Sequence, residues 1–258
     1  MSEPTLSQLL ETAVAAAKAA GAHALNNKHR RTESAETFAH DIKLVLDMEC
    51  QKVTESVIGE RFPDHSILGE EDSRTEANDA YEWVIDPIDG TMNFSYGFPY
   101  WCSSVAVRHN GKVVAGCVYA PEFDDCFSAH IEGPAERNGA PIHVSDTREL
   151  KDALIFTGLY KAFEADAETH FSLFKKLAFS TKKLRISGAA ALDFCHVAAG
   201  SSDGFFEKGI YPWDFSAGGL IIERAGGAVD FRPQGDGTYA ALGTNPHLIG
   251  KLQELLAP

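Results

Sequence analysis

The chain has 258 residues, 37 acidic against 23 Lys plus Arg, and a formal net charge of -14 at pH 7. That acidic excess argues against a nucleic-acid partner, which would need a cationic footprint, but a metal ion can still reverse the local field for a small anion. With 44% hydrophobic and 23% charged residues, the composition is that of a folded chain with a substantial core in one or two domains.

Leu6, Leu9, Leu10, Ala13, Val14, Ala17 and Ala20 recur at three and four residues, which predicts an amphipathic helix with a small-residue face over about 6–25. Residues 26–37 read as a loop or exposed helix end, and 42–46 as a short extended piece. Cys50, Val53, Val57 and Ile58 restore helical spacing until Pro63 stops it. Short strands follow at 66–68, running into Gly69-Glu70-Glu71, and at 83–85, running into Asp86-Pro87-Ile88-Asp89-Gly90-Thr91. Strands at 102–107 and 113–119 flank Asn110-Gly111, a strong hairpin signal. Another strand is expected at 126–129. The turn-rich stretch 133–141 places a domain boundary near 140, dividing the chain into 1–140 and 141–258. Beyond it, strands at 154–157, 184–186, 204–206, 228–231 and 239–242 alternate with helices at 167–177, 189–199 and 214–224. Gly226-Gly227 ends the third of these helices, and a last helix starts at Pro246. This is a mixed α and β pattern, with layers expected.

Five scattered cysteines, Cys50, Cys102, Cys117, Cys126 and Cys195, fit neither a disulfide framework nor a cysteine zinc site, so a reducing, cytoplasmic compartment is expected. Residues 1–7 lack the pattern of a signal peptide. The longest nearly apolar stretch, 12–25, is broken by Lys18 and His23 and is too short for a membrane span.

The chemistry-bearing feature is Asp86-Pro87-Ile88-Asp89-Gly90-Thr91. Two carboxylates stand three apart after an apolar strand, Pro87 limits the backbone between them, and Gly90 permits an unusual conformation. The plainer reading is an Asx-stabilised turn with a helix starting near Thr91. Glu70-Glu71 after another strand, with Asp47 and Asp214 at apparent element starts, adds acids at the joints. If they converge, divalent ions would offset their repulsion, and carboxylate oxygens are the ligands Mg²⁺ takes. Thr91 and nearby N–H groups could then hold phosphate oxygens. Phe94, Phe98, Tyr100 and Trp101 read as core or pocket wall, and His196 as a packed or surface histidine.

The chain resembles the inositol monophosphatase family over most of its length. Gly69-Glu70-Glu71 looks like the family's GEE element, and Asp86 to Thr91 like its DPIDGT signature. Trp213-Asp214-Phe215-Ser216-Ala217-Gly218, with Glu223 and Ala225-Gly226-Gly227, resembles its second signature. Ser187-Gly188-Ala189-Ala190 and Glu207 resemble its substrate-side elements. The resemblance implies a mixed α/β (α+β), layered αβαβα fold of the inositol monophosphatase and fructose-1,6-bisphosphatase kind, commonly a homodimer. It also implies that residues 1–140 carry most metal ligands and 141–258 complete the site. Glu70, Asp86 and the Ile88 carbonyl would hold a first Mg²⁺, and Asp86, Asp89 and Asp214 a second, with Glu70 supporting a weaker third. Asp47 and Thr91 would activate the attacking water, and Gly90 and Thr91 would position the phosphate. Asp89, Gly188, Ala190 and Glu207 would meet the organic part of the substrate. Attack would be in line, with no phosphoenzyme.

The chain also departs from the family pattern. Asp41 and Asp47 stand where the family has DLVTxxD, but Leu44 replaces the Thr. Glu36 occupies the position of an upstream Lys whose charge Lys43 could replace. The connection from Glu70 to Asp86 is short, and Arg224 replaces a small residue. The first function expected is Mg²⁺-dependent hydrolysis of myo-inositol monophosphate, a small phosphate ester. Histidinol phosphate is the nearest alternative, and other family phosphate esters stay open. A noncatalytic, metal-binding interaction protein on the same scaffold is the alternative from a different class.

Overall fold

The computed structural model describes residues 3–37, 42–71, 80–159 and 163–257. Helix α1 (Leu6–Asn26) opens on a capping box: the Gln8 N–H donates to the Thr5 hydroxyl at 3.2 Å, and the Thr5 N–H donates to Gln8 Oε1 at 2.9 Å. The stretch read as a loop ends instead in a strand, β1 (Ser34–Thr37), antiparallel to β2 (Ile42–Leu44). This polar segment has no alternation to announce it. Helix α2 (Val45–Arg61) follows at once, so Leu46, expected to be extended, lies in its first turn. Asp41, and residues 72–79 of the short connection between Glu70 and Asp86, lie outside the described residues.

The first sheet has seven strands in chain order: β3 (Ser66–Gly69), β4 (Tyr81–Asp89), β5 (Cys102–His109), β6 (Lys112–Ala120), β7 (Asp125–His130), β8 (Glu136–Arg137) and β9 (Ala140–Pro141). Among the described residues of this sheet, only the β3–β4 pair is parallel. A short helix, α3 (Thr91–Tyr96), joins β4 to β5. Asn110 (φ 50°) and Gly111 (φ 80°) both take the left-handed conformation that a two-residue hairpin loop requires.

The second sheet is built from β10 (Leu154–Thr157), β11 (Lys183–Arg185), β12 (Gly204–Ile210), β13 (Ala228–Pro233) and β14 (Tyr239–Thr244), in the order β11-β10-β12-β14-β13. Its helices are α4 (Phe163–Ser180), α5 (Ala190–Ala198), α6 (Pro212–Arg224) and α7 (Ile249–Leu255). Strand β12 runs past its expected end, so Glu207 sits within it. Helix α7 begins three residues after Pro246, behind a turn in which Asn245 Oδ1 accepts the N–H groups of His247 (2.9 Å) and Leu248 (3.1 Å).

Side-chain alternation along the strands builds the layers. Trp83, Ile85, Val105 and Val107 face α1 and α2 with Leu9, Ala13, Ala17 and Ile58. Val84, Ala106 and Phe127 face the other way, into a core shared with Phe194 of α5, Ile221 of α6 and Phe205 and Ala241 of the second sheet. That sheet's far face, with Ile155, Phe206 and Leu242, packs on Leu173 and Leu177 of α4 and Leu252 of α7. The order is helices, sheet, helices, sheet, helices: the expected αβαβα. Small residues let the layers approach. A β-carbon at Gly116 of β6 would lie 3.0 Å from the Ala217 Cα of α6. No helix among the described residues is long and apolar enough to cross a membrane.

Candidate active site

The acids gather at one end of β4. That strand does not stop at Ile85 but runs on through Asp89, and its pairing with β5 is irregular between Asp86 and Asp89. Pro87, which has no N–H to donate, falls in that gap. In a regular strand, residues three apart face opposite ways. The irregularity brings Asp86 and Asp89 to one place, where their carboxylate oxygens and one from Asp214 lie within 4.8 Å of one another.

Asp214 arrives from the first turn of α6, with Pro212 as that helix's first residue. Its Oδ2 accepts the Tyr211 N–H at 2.6 Å. Asp47 uses the same device at the third position of α2, where its Oδ2 accepts the Leu44 N–H at 2.7 Å. Neither acid is the helix cap itself; each reaches back to the backbone before the helix. Glu70 follows β3, its N–H bonded to the Ile85 carbonyl at 3.1 Å, and its carboxyl lies beside that of Asp86.

Crowding sets the electrostatics. Asp86 is 2% exposed, and its pKa is pushed well above the usual carboxylate range by burial, then by the charges of Glu70, Asp89 and Asp214. Glu70 has an exposed edge at the rim. It is pushed up as well, first by loss of solvent around its carboxyl, then by Asp214, Glu71 and Asp47. Burial raises Asp89 to about 6, although the N–H of Ala191 and other donors oppose the rise. Five acids, Asp47, Glu70, Asp86, Asp89 and Asp214, therefore feel one another through space.

The remaining sequence-derived positions surround this cluster unevenly. Gly90 is left-handed (φ 89°), and a β-carbon on it would lie 3.1 Å from the Tyr100 carbonyl and 3.2 Å from that of Gly188, itself at φ 84°. The Thr91 hydroxyl donates to the Ile88 carbonyl at 2.9 Å. The N–H groups of Ala190 and Ala191, at the start of α5, donate to Asp89 at 3.2 and 2.8 Å. Glu207 lies in β12 of the second sheet: a β-carbon at Gly158 would overlap its carboxylate, and it lines a crevice with Thr157, Leu159 and His170. Among the aromatics, Phe94 and Trp101 are buried edge to face with centroids 4.8 Å apart, while Phe98 is exposed. His196 is half-buried against the Tyr100 ring, with centroids 5.8 Å apart.

Several partnerships around the site were not foreseen from the sequence. Lys43 points to Glu71, 2.7 Å away, in an ion pair beside Glu70. Gln51 accepts the Glu71 N–H at 3.0 Å, and its amide fills the space that a β-carbon at Gly69 would need. A signal for Gln51 did exist, since Asp47, Gln51 and Thr54 share a buried helical stripe with Cys50 and Ile58. Asn93, Tyr100, Ser187 and Asp193 bond to one another beside Gly90 and Gly188.

The residues present fit Mg²⁺. The converging donors are all hard oxygens, and buried Asp86 Oδ1 has no hydrogen-bond partner among the described residues, which is costly unless a cation meets it. A cluster built only of carboxylates suits metal-assisted phosphate chemistry. The inositol monophosphatase family profile matches residues 5–255. An inositol monophosphatase from Dictyostelium discoideum is 37% identical over 99% of this chain and 97% of its own. The Nus factor SuhB of Vibrio cholerae is 35% identical over 86% of this chain and 84% of its own. The solved inositol monophosphatase of Anabaena (Nostoc) sp. PCC 7120 superposes with a TM-score of 0.87 at 35% identity, covering 97% of this chain and 96% of that one. The chain belongs to the inositol monophosphatase family, whose members are phosphatases that generally depend on Mg²⁺.

Proposed function

We propose that the chain hydrolyses myo-inositol monophosphate to inositol and phosphate in a Mg²⁺-dependent reaction. The observation that carries this reading is the convergence of buried Asp86 and Asp89 with half-buried Asp214 beside the left-handed Gly90 turn. Glu70, Asp86, the Ile88 carbonyl, Asp89 and Asp214 would hold the metal. Bound Mg²⁺ would offset the acids' repulsion and polarise the phosphoryl oxygens. The Gly90 and Thr91 backbone orients the phosphate. Asp47, with Thr91, takes the proton of the attacking water, its carboxylate plane set by the Leu44 N–H. Asp89, pinned by the N–H groups of Ala190 and Ala191, links the acids to the Gly188 bend, where hydroxyls of the polyol would bind. Glu207 completes that side. The active form is a homodimer, as the family resemblance implies.

The test is phosphate release from a panel of myo-inositol monophosphate, histidinol phosphate and sugar phosphates, with Mg²⁺ and with chelator. Inositol monophosphate should give the highest kcat/KM, abolished by chelation; a better rate on histidinol phosphate would reassign the substrate. A second reading comes from the Vibrio cholerae relative, which is named a Nus factor: a binding protein on this scaffold, acting without turnover. A protein that binds Mg²⁺ yet hydrolyses nothing on the panel would favour it.

A further inference from the structure

Asn93 and Asp193 grip the same two residues from opposite sides. Asn93 lies in α3, two residues past Thr91, and its Nδ2 donates to the carbonyls of Tyr100 (2.7 Å) and Ser187 (2.8 Å). Asp193 lies in α5. Its Oδ1 accepts the Tyr100 hydroxyl at 2.6 Å, and its Oδ2 accepts the hydroxyl of Ser187. Tyr100 and Ser187 are therefore each tied twice, once through the main chain and once through the side chain, and the four residues close a ring.

The ring's position gives it a consequence. Asn93 belongs to the helix that begins at Thr91, the phosphate end of the site. Ser187 immediately precedes Gly188, at the organic end. Between them, the carbonyls of Tyr100 and Gly188 and the β-carbon of Ala189 stand within 3.2 Å of where a Gly90 β-carbon would be. The spacing of the two ends is thus bridged by these hydrogen bonds, across 94 residues of chain from Asn93 to Ser187. Core filling does not account for Asp193. It is 2% exposed in a helix buried nearly all round, among Leu192, Phe194 and Val197, where a carboxyl group is costly unless its hydrogen bonds compensate.

We propose that Asn93, Tyr100, Ser187 and Asp193 form a specificity clasp that holds the Gly188–Ala190 segment at a set distance from Gly90 and Thr91. It would thereby favour phosphate esters whose organic part carries hydroxyls over esters without them. Asn93 and Asp193 are positioning residues in this scheme, acting through the segments they tie. The proposal rests on the phosphatase reading above and narrows the substrate class that the site selects.

The experiment measures kcat and KM for myo-inositol monophosphate, glycerol 2-phosphate and p-nitrophenyl phosphate at saturating Mg²⁺, in the wild type and in Asn93→Ala, Ser187→Ala, Asp193→Ala and Asp193→Asn. The preference for inositol monophosphate over p-nitrophenyl phosphate should fall roughly tenfold in Asn93→Ala and Asp193→Ala, through KM more than kcat, because misplacement removes binding contacts that only the hydroxylated substrate makes. Asp193→Asn, which keeps an acceptor for Tyr100, should recover most of that preference. Equal losses on both substrates, or an unchanged preference in folded variants, would overturn the clasp. If Asp193→Ala does not fold, half-buried Asn93 and Ser187 carry the test. A wild type that hydrolyses p-nitrophenyl phosphate but not inositol monophosphate refutes the substrate reading alone, and the clasp is then scored on glycerol 2-phosphate against p-nitrophenyl phosphate. A wild type inert to all three refutes both.

Discussion

Asp193 shows what a single buried carboxyl does to the titration of this molecule. Burial raises it to about 8, against the opposing hydrogen bonds of Ser187 and Tyr100. A raised folded-state pKa means that its contribution to stability is fully present below the unfolded value near 4 and is lost as pH rises through about 8. Denaturant unfolding of the wild type and Asp193→Asn, with chelator present, should show the wild type losing stability relative to the variant between pH 5 and 8. A difference that stays constant with pH would mean that Asp193 is not held protonated. At this scale the sequence was readable where chemistry is local. Asp86, Asp89, Glu70 and Asp214 stand at the ends of elements whose own patterns are clear. Lys43 with Glu71, and Tyr100 with Asp193, were not readable, because nothing in either residue's neighbourhood names a partner that only the tertiary fold delivers.

Among the elements, α1 was legible almost to the residue, because its alanine stripe buries as a unit: Ala13, Ala16, Ala17, Ala20 and Ala24 are fully covered. The Asn110-Gly111 hairpin was equally plain, since that dipeptide suits a loop left-handed at both positions. Strand β1 was not visible, being four polar or small residues with no apolar alternation, whereas β2 falls within the extended piece expected at 42–46. The continuation of β4 through Pro87 was hidden for the opposite reason. Proline normally breaks a strand, and only the pairing irregularity beside β5 makes room for it. The α6–β6 contact is equally silent in sequence and depends on Gly116. Gly116→Val should cost about 1–3 kcal/mol by overpacking against Ala217, read as a lower denaturation midpoint with an unchanged m-value. An unchanged midpoint would show that α6 does not rest on β6 as described.

For the molecule as a whole, the excess of negative charge has a defined focus. We propose two units, 1–140 and 141–258, dividing at the last strand of the first sheet, Ala140–Pro141, ahead of the second sheet's start at Leu154; Asp214 brings the second unit's carboxylate to the acids of the first. With Glu70, Asp86 and Asp89 all raised, the metal-free fold loses stability as pH rises through about 6 and beyond, when these groups ionise against one another. Mg²⁺ bound at this cluster would compete with those protons. The rise in Tm on adding Mg²⁺ should therefore be larger at pH 8 than at pH 5, and an equal rise at both would place the ion elsewhere. The most direct measurement is Mg²⁺-dependent phosphate release from myo-inositol monophosphate by the wild type, Asp86→Asn and Asp214→Asn across a Mg²⁺ titration. Saturable turnover in the wild type and losses of about 100-fold or more in both variants are the expected result; near-wild-type turnover in both variants at limiting Mg²⁺ would contradict the site.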